Sequence, residues 1–189
     1  MKLINLAMQN IGAFNGITEI DFSSLGEIFL ISGNTGSGKT TIFDAVTFAL
    51  YGKLPGSRSS LELKRFRSDF AGDEEEAFVS LIFSINQEKY KVFRSLPQPY
   101  IKRDGTQGYK NSAASLHKQE ELSSTGELNF SGKDEWSILC DSIDAIKENI
   151  ETLIGLNCEE FSRIVLLPQG EFADFLKLSS NERKEALGK

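Results

Sequence analysis

Apolar and polar positions along the first third of the chain predict strands followed by a helix. Leu3 to Ile11 and Ile17 to Phe22 read as two strands, and Asn15-Gly16 between them is a two-residue hairpin signal, so the opening is expected to be antiparallel. The run Ile28-Phe29-Leu30-Ile31 has apolar residues at consecutive positions, which predicts a third strand buried on both faces and ending at Ser32-Gly33. From Lys39 to Tyr51 the spacing turns helical, with Ile42, Phe43, Val46, Ala49 and Leu50 on one stripe. Gly52 supplies the left-handed stop, and Pro55 follows where a helix cannot continue.

Residues 53–76 carry Pro, Gly and Ser, then a basic piece (Arg58, Lys64, Arg65, Arg67) and the acidic run Asp73-Glu74-Glu75-Glu76, which predicts a surface loop with one short helix. Ala77 to Ile85 and Tyr90 to Leu96 alternate with period two, and the polar link 86–89 makes them a hairpin. Residues 97–135 are expected to be loops interrupted by one strand near Ala113 to Lys118, with low order at the tips. The last third reads as helical. Ile143, Ile146, Ile150, Leu153 and Ile154 form one stripe closed by Gly155. Asn157-x-x-Glu160 then resembles a capping box that opens a helix carrying Phe161, Ile164 and Val165, broken at Pro168. Ser179-x-x-Glu182 opens a further, polar helix suited to the base of a coiled coil, and the chain looks cut at Lys189.

Length and composition narrow the class. At 189 residues the chain is about one domain, and 40% hydrophobic residues plus 16 glycines rule out disorder. Twenty-one Lys and Arg against 27 Asp and Glu leave a net charge of −6, so any nucleic-acid contact has to come from a local patch. No apolar run approaches a membrane span of ~18 residues, and the N-terminus lacks a signal-peptide core, which predicts a soluble protein with no membrane partner. Cys140 and Cys158 have no metal-ligand spacing and read as reduced thiols of a cytoplasmic protein. His117 has no companion in the sequence that would make a triad or a zinc site.

One motif carries chemistry. Gly33-Asn34-Thr35-Gly36-Ser37-Gly38-Lys39-Thr40 fits G-x-x-x-x-G-K-[ST], a match that ordinary residue frequencies produce by chance in about one in a hundred chains of this length. It stands between a predicted strand and a predicted helix, the context the motif requires. Glycines let successive N–H groups point into one hollow around a phosphate, and the helix N-terminus adds partial positive charge. Lys39 is the point charge that bridges phosphate oxygens, and Thr40 offers a hydroxyl to Mg²⁺.

A complete site also needs an acid after an apolar strand, to hold the metal and activate water. Ile138-Leu139-Cys140-Asp141 comes nearest, but Ser142 follows it, and Asp141 is better placed to start the next helix. No segment supplies the glycine pair of an ABC signature, since Ser131-Gly132-Lys133 fails at its second glycine position. Half a catalytic site is present.

The run Ile31 to Gly52, with Asn10-Ile11-Gly12-Ala13-Phe14, Glu19-Ile20-Asp21-Phe22 and the late Leu166-Leu167-Pro168-Gln169-Gly170-Glu171-Phe172, strongly resembles the N-terminal ATPase segment of the SbcC family of SMC-like DNA repair ATPases. The resemblance implies ATP phosphates on Asn34 to Thr41, with Thr41 joining the motif residues, and Mg²⁺ on Thr40 and Gln169. It makes Lys39 and Gln169 the catalytic residues of this half, Gln169 sensing the γ-phosphate, although Pro168-Gln169-Gly170 on its own reads as a helix-ending turn. Ala13 departs from the family pattern, so no nucleotide contact is carried onto it. The missing acid and signature are implied to lie in a C-terminal ATPase segment beyond a long coiled coil with a zinc hook. The implied partners are that segment, a second copy in a head homodimer around two ATP molecules, the nuclease SbcD and double-stranded DNA with ends or hairpins. The implied location is the cytoplasm, at the nucleoid.

From Lys89 to Lys118 seven basic residues (Lys89, Lys91, Arg94, Lys102, Arg103, Lys110 and Lys118) face one acid, Asp104, which marks a candidate DNA surface with Tyr100 and Tyr109 nearby. Lys102, Arg103 and Lys110 are its central candidates, and Arg58, Lys64, Arg65 and Arg67 form a second patch. Two rivals stand beside the repair ATPase: a small P-loop kinase, which would complete its site within one chain, and an SMC-type DNA scaffold without a nuclease. The expected fold class is α/β, a P-loop NTPase of ABC/SMC head type, lobe I: an antiparallel N-terminal sheet on a P-loop core, then a helical sub-domain. The expected division is an ATPase lobe over residues 1–176 and the start of a coiled-coil helix over 177–189, the whole inactive in hydrolysis without its C-terminal half.

Overall fold

The computed structural model describes residues 1–26, 29–120 and 136–163. Strand β1 (Lys2–Ile11) turns at Gly12-Ala13 into β2 (Phe14–Asp21), so the hairpin turn is not at Asn15-Gly16. Those two residues instead bulge against Asn10, between the pairs Gln9↔Ile17 and Ile11↔Phe14, and the Gly16 N–H donates to the Asn10 Oδ1 at 2.8 Å. A glycine is needed at both places, and the local pattern points to the wrong one.

The helix α1 (Lys39–Tyr51) has the expected bounds, with Gly52 closing it in the left-handed region. It is more deeply set than an amphipathic stripe. Residues 44–51 are buried all round, while Phe43 lies 38% exposed. Two 3₁₀ turns, Gly56–Ser60 and Leu63–Phe66, follow in place of the one short helix expected.

Strands β3 (Phe78–Ile85) and β4 (Glu88–Ser95) form the predicted hairpin, joined by Asn86-Gln87 with both φ angles positive. Their inward faces are those read from the alternation: Val79, Leu81, Phe83, Tyr90 and Val92 are buried. Between residues 97 and 113, in place of the expected loop, β5 (Gln98–Ile101) and β6 (Gln107–Lys110) make a separate two-stranded sheet. Pro99 and Gly108 disguise them, and a ribbon with free edges tolerates both residues. Next come β7 (Ala114–Gln119) and β8 (Trp136–Cys140), the latter in a region expected to be helical, then α2 (Ile143–Ile154) and α3 (Cys158–Phe161).

The main sheet runs β2-β1-β3-β4-β7-β8 and every pairing is antiparallel. Helix α1 packs across β1, β3 and β4, and α2 lies beside it against β7. Leu6 and Met8 of β1, Leu81 and Phe83 of β3, Phe48 and Ala49 of α1, and Ile146 and Ile150 of α2 share the core between them. Each large side chain fully buried there contributes about 1.5–3 kcal/mol.

The predicted third strand is not formed. Residues 29–32 have no strand partner among the described residues, and Leu30 is 88% exposed with Phe29 at 41%. A strand buried on both faces requires neighbours on both edges, and the six strands of the sheet are all paired elsewhere. Cys140 and Cys158 are free thiols, half-buried against the core. The helix expected beyond Ile164, the segment around Gln169, and the domain boundary at 176–177 lie outside the described residues.

Candidate phosphate-binding site

Helix α1 begins without the devices that begin the other helices. At α2 the Ser142 hydroxyl accepts the Ala145 N–H at 3.3 Å and Asp144 stands in the first turn. At α3 Asn157 and Glu160 form a complete capping box, with Glu159 beside them. At α1 the capping residue is Gly38, which has no side chain to give, and no acid stands in the first turn. The opening N–H groups of α1, which every helix leaves without an internal partner, are therefore uncapped by any side chain. A basic residue, Lys39, replaces the usual acid, so positive charge adds to positive charge at this terminus. An anion answers both.

The loop itself curls so that two of its carbonyls meet the lysine. The Lys39 Nζ donates to the Gly33 and Asn34 carbonyls, each at 2.7 Å, and the Ser37 N–H donates to the Asn34 carbonyl at 3.2 Å. Asn34, Thr35, Gly36, Ser37 and Thr40 are exposed, while Gly38, Lys39 and Thr41 are half-buried. Residues 33–41 thus form one contiguous site. Backbone amides, an ammonium and a hard hydroxyl oxygen at Thr40 are the donor set that a polyphosphate with Mg²⁺ requires, so the residues present fit that ligand.

Gly38 adopts φ 86, and a Cβ there would stand 2.7 Å from Cε2 of Phe14, so only glycine fits under the β1–β2 turn. Gly12 matches it from the other side, since a Cβ on Gly12 would stand 2.6 Å from Cγ2 of Thr41. Neither contact is legible in the sequence, because nothing in a hairpin's local pattern says what its turn will rest on.

Deeper in α1, Asp44 is buried and ion-paired with Arg58 of the first 3₁₀ turn. Burial pushes its carboxyl up to about 6, with Arg58 opposing the shift, and its Oδ1 has no partner among the described residues. An acid within an otherwise apolar buried stretch is the signal that the sequence offers for it. Asp141, the nearest approach to a second acid, follows β8 at the opposite edge of the sheet from β2, and Ser142 rather than Asp141 caps the next helix.

The two basic patches are smaller in space than in sequence. Arg94 is 3% exposed and donates to the Ala49 and Leu50 carbonyls, so it cannot face DNA. Lys118 is paired with Glu88 at 2.5 Å. Lys110 lines a cleft with Asp73, Glu74 and Glu76, which leaves exposed Lys102 and Arg103, just past β5, as the freer pair. In the second patch Arg58 is held by Asp44, Lys64 by Glu62 at 2.9 Å, and Arg67 by the Ala71, Gly72 and Glu75 carbonyls. Among the described residues no group of His, Cys, Asp and Glu is arranged to hold a metal ion, and no helix is long and apolar enough to cross a membrane.

Residues 5–189 match the family described as AAA domain. The chain is similar to the SbcC component of the nuclease SbcCD of Treponema pallidum, with 39% identity over 188 residues, and to that of Staphylococcus aureus, with 37% identity over 189. Each similarity covers 99% of this chain but only 16% and 17% of those relatives, so the chain spans about one-sixth of their length. A solved structure described as the structural biochemistry of ATP-driven dimerization and DNA stimulated activation of SMC ATPases superposes with a TM-score of 0.60 at 20% identity, covering 99% of this chain and 98% of that one. The mixed α/β architecture is that of an SMC-type ATPase head, and the resemblance to SbcC holds along the whole chain.

Proposed function

The chain belongs to the AAA domain family, and from that premise we propose that residues 33–41 bind the triphosphate of ATP within one half of a DNA repair ATPase head. The observation that carries this reading is the uncapped, acid-free N-terminus of α1 with Lys39 on it, beside two helices in the same chain that are capped and acidic. The amides of Gly36 to Thr41 would receive the phosphate oxygens. The Lys39 ammonium would exchange the Gly33 and Asn34 carbonyls for phosphate, and the Thr40 hydroxyl would hold Mg²⁺ together with Gln169. Bound Mg²⁺ supplies charge neutralisation at the phosphates. Lys39 stabilises the charge that develops there, and Gln169 reports the γ-phosphate to the rest of the head.

Catalysis needs a second segment. Phe29 and Leu30 before the loop and Phe43 after it keep their apolar side chains open, which supports a further strand-bearing segment covering them. That segment is the C-terminal ATPase half, bringing the acid and the signature motif, and two complete heads close around ATP. The similarity to the SbcC component of SbcCD supports SbcD as the partner nuclease and double-stranded DNA as the substrate, in the cytoplasm at the nucleoid.

Co-expression of residues 1–189 with the C-terminal segment of the full-length protein tests this. Dimers that form with ATP and Mg²⁺, and not without the C-terminal segment, are expected. Hydrolysis by residues 1–189 alone at the rate of the reunited halves would contradict it.

A further inference from the structure

The β1–β2 turn and the start of α1 meet at two places, and each lacks a side-chain carbon. A Cβ on Gly38 would stand 2.7 and 2.8 Å from Cε2 and Cζ of Phe14 and 3.4 Å from the Ala13 Cβ. A Cβ on Gly12 would stand 2.6 Å from Cγ2 and 3.1 Å from Oγ1 of Thr41. Each partner therefore contributes one side chain, Phe14 or Thr41, seated on a glycine of the other. Gly12 at φ 52 and Gly38 at φ 86 hold conformations that other residues rarely adopt.

The two sides differ in how firmly they are held. Asn10, 1% exposed, accepts the Gly16 N–H and donates to the Glu76 carbonyl, both at 2.8 Å. The Gly12 N–H donates to the Phe66 carbonyl and the Ser68 N–H to the Asn10 carbonyl, again at 2.8 Å. The turn is thus braced by residues distant in sequence. Residues 33–37, by contrast, are exposed and hold one another through Ser37 and Lys39. Whatever fixes Gly38 against the braced turn fixes the direction in which the loop's amides point.

We propose that Phe14 is a positioning residue for nucleotide binding: its ring, backed by the β1–β2 turn, rests on Gly38 and aims the first N–H groups of α1 and the Lys39 side chain at the phosphates. The proposal rests on the ATP reading above. Phe14 need not touch the nucleotide. Its contribution is to hold Gly38 in one conformation before the ligand arrives, so that binding does not have to order the loop.

The test is binding of a fluorescent ATP analogue with Mg²⁺ to the full-length protein, alongside thermal melting, for Phe14→Leu, Phe14→Ala, Gly38→Ala, the Phe14→Ala/Gly38→Ala double variant and Lys39→Ala. Phe14→Leu and Phe14→Ala should weaken binding about ten- to a hundredfold while the variants remain folded at the assay temperature. Gly38→Ala should bind worse with Phe14 present than in the double variant, where the ring no longer meets the new methyl, a coupling that simple core filling by Phe14 does not produce. Phe14→Leu binding as tightly as the parent, or a Gly38→Ala defect of equal size in both backgrounds, overturns the proposal. Lys39→Ala binding as well as the parent would sink the ATP reading itself, so the two failures are distinguishable.

Discussion

Arg94 lies inside the core of β4 and donates from Nε to the Ala49 carbonyl at 2.8 Å, so a guanidinium closes the C-terminal end of the same helix whose N-terminus faces the phosphate loop. A second bond from Nη2 reaches the Leu50 carbonyl at 3.3 Å. The carbonyl end of a helix is its negative end, which is where a buried cation without a carboxylate can be tolerated. Burial lowers the Arg94 pKa to about 10, so it stays charged at neutral pH. Replacing it by Met removes both bonds and leaves two carbonyls without these partners, with an expected loss of about 2–4 kcal/mol. Arg94→Lys should recover only part, because one ammonium cannot reproduce the planar fork. Urea unfolding curves check this: a lower midpoint with an unchanged slope is expected, and wild-type midpoints for Arg94→Met would refute it.

Asp44 and Arg58 give a pH-dependent prediction. Folded Asp44 holds its proton more tightly than the unfolded chain does, about 6 against 3.8. Its contribution to stability is therefore fully present below 3.8 and is lost as the pH rises through about 6. Arg58→Met removes the ion-pair partner and leaves burial unopposed, so the cost should be about 2 kcal/mol at pH 8 and shrink towards pH 5, where the carboxyl takes up its proton. Melting temperatures of the parent and Arg58→Met across pH 5–8 measure the difference. A gap that widens on acidification would show the sign to be wrong.

The bare N-terminus of α1 predicts opposite effects on stability and on nucleotide from one substitution. Thr40→Asp places an acid in the first turn, as α2 and α3 already have, and should leave the fold unharmed or raise its stability by about 0.5 kcal/mol. The same carboxylate would repel phosphate and weaken ATP binding beyond the loss caused by Thr40→Ala. Calorimetric binding paired with thermal melts reads both signs. If Thr40→Asp binds ATP better than Thr40→Ala, this terminus is not an anion site.

The secondary structure of the core is legible in the sequence because its signals are local. Asn157-x-x-Glu160 is a complete capping box, Gly52 and Gly155 are the helix stops, and the period-two runs around Leu81 and Val92 are buried strand faces. What local pattern misses depends on partners far along the chain. Ile28 to Ile31 has the composition of a central strand, yet a central strand exists only where others flank it, and residues 29–32 have no such neighbours among the described residues. Arg94 counts as surface charge in any sequence window, and only the fold shows that its side chain turns inward to α1. The phosphate motif is legible residue by residue, while the hairpin seated on it is not.

The DNA surface narrows for the same reason. With Arg94 internal, Lys118 paired and Lys110 facing acids, charge reversal at Lys102 and Arg103 should weaken DNA binding and lower the salt slope of the full-length protein by about two. The corresponding reversal at Lys64 and Arg65 should do less, because Lys64 is already paired with Glu62. Titrations of duplex DNA at several salt concentrations decide between them, and an unchanged slope after reversal of Lys102 and Arg103 would exclude that surface.

The central claim is that residues 33–41 seat the phosphates of ATP. The most direct measurement is steady-state ATP turnover by the full-length protein carrying Lys39→Ala, with folding confirmed by circular dichroism. Turnover lower by at least about a hundredfold is the predicted result, and turnover within about twofold of the parent would contradict the claim.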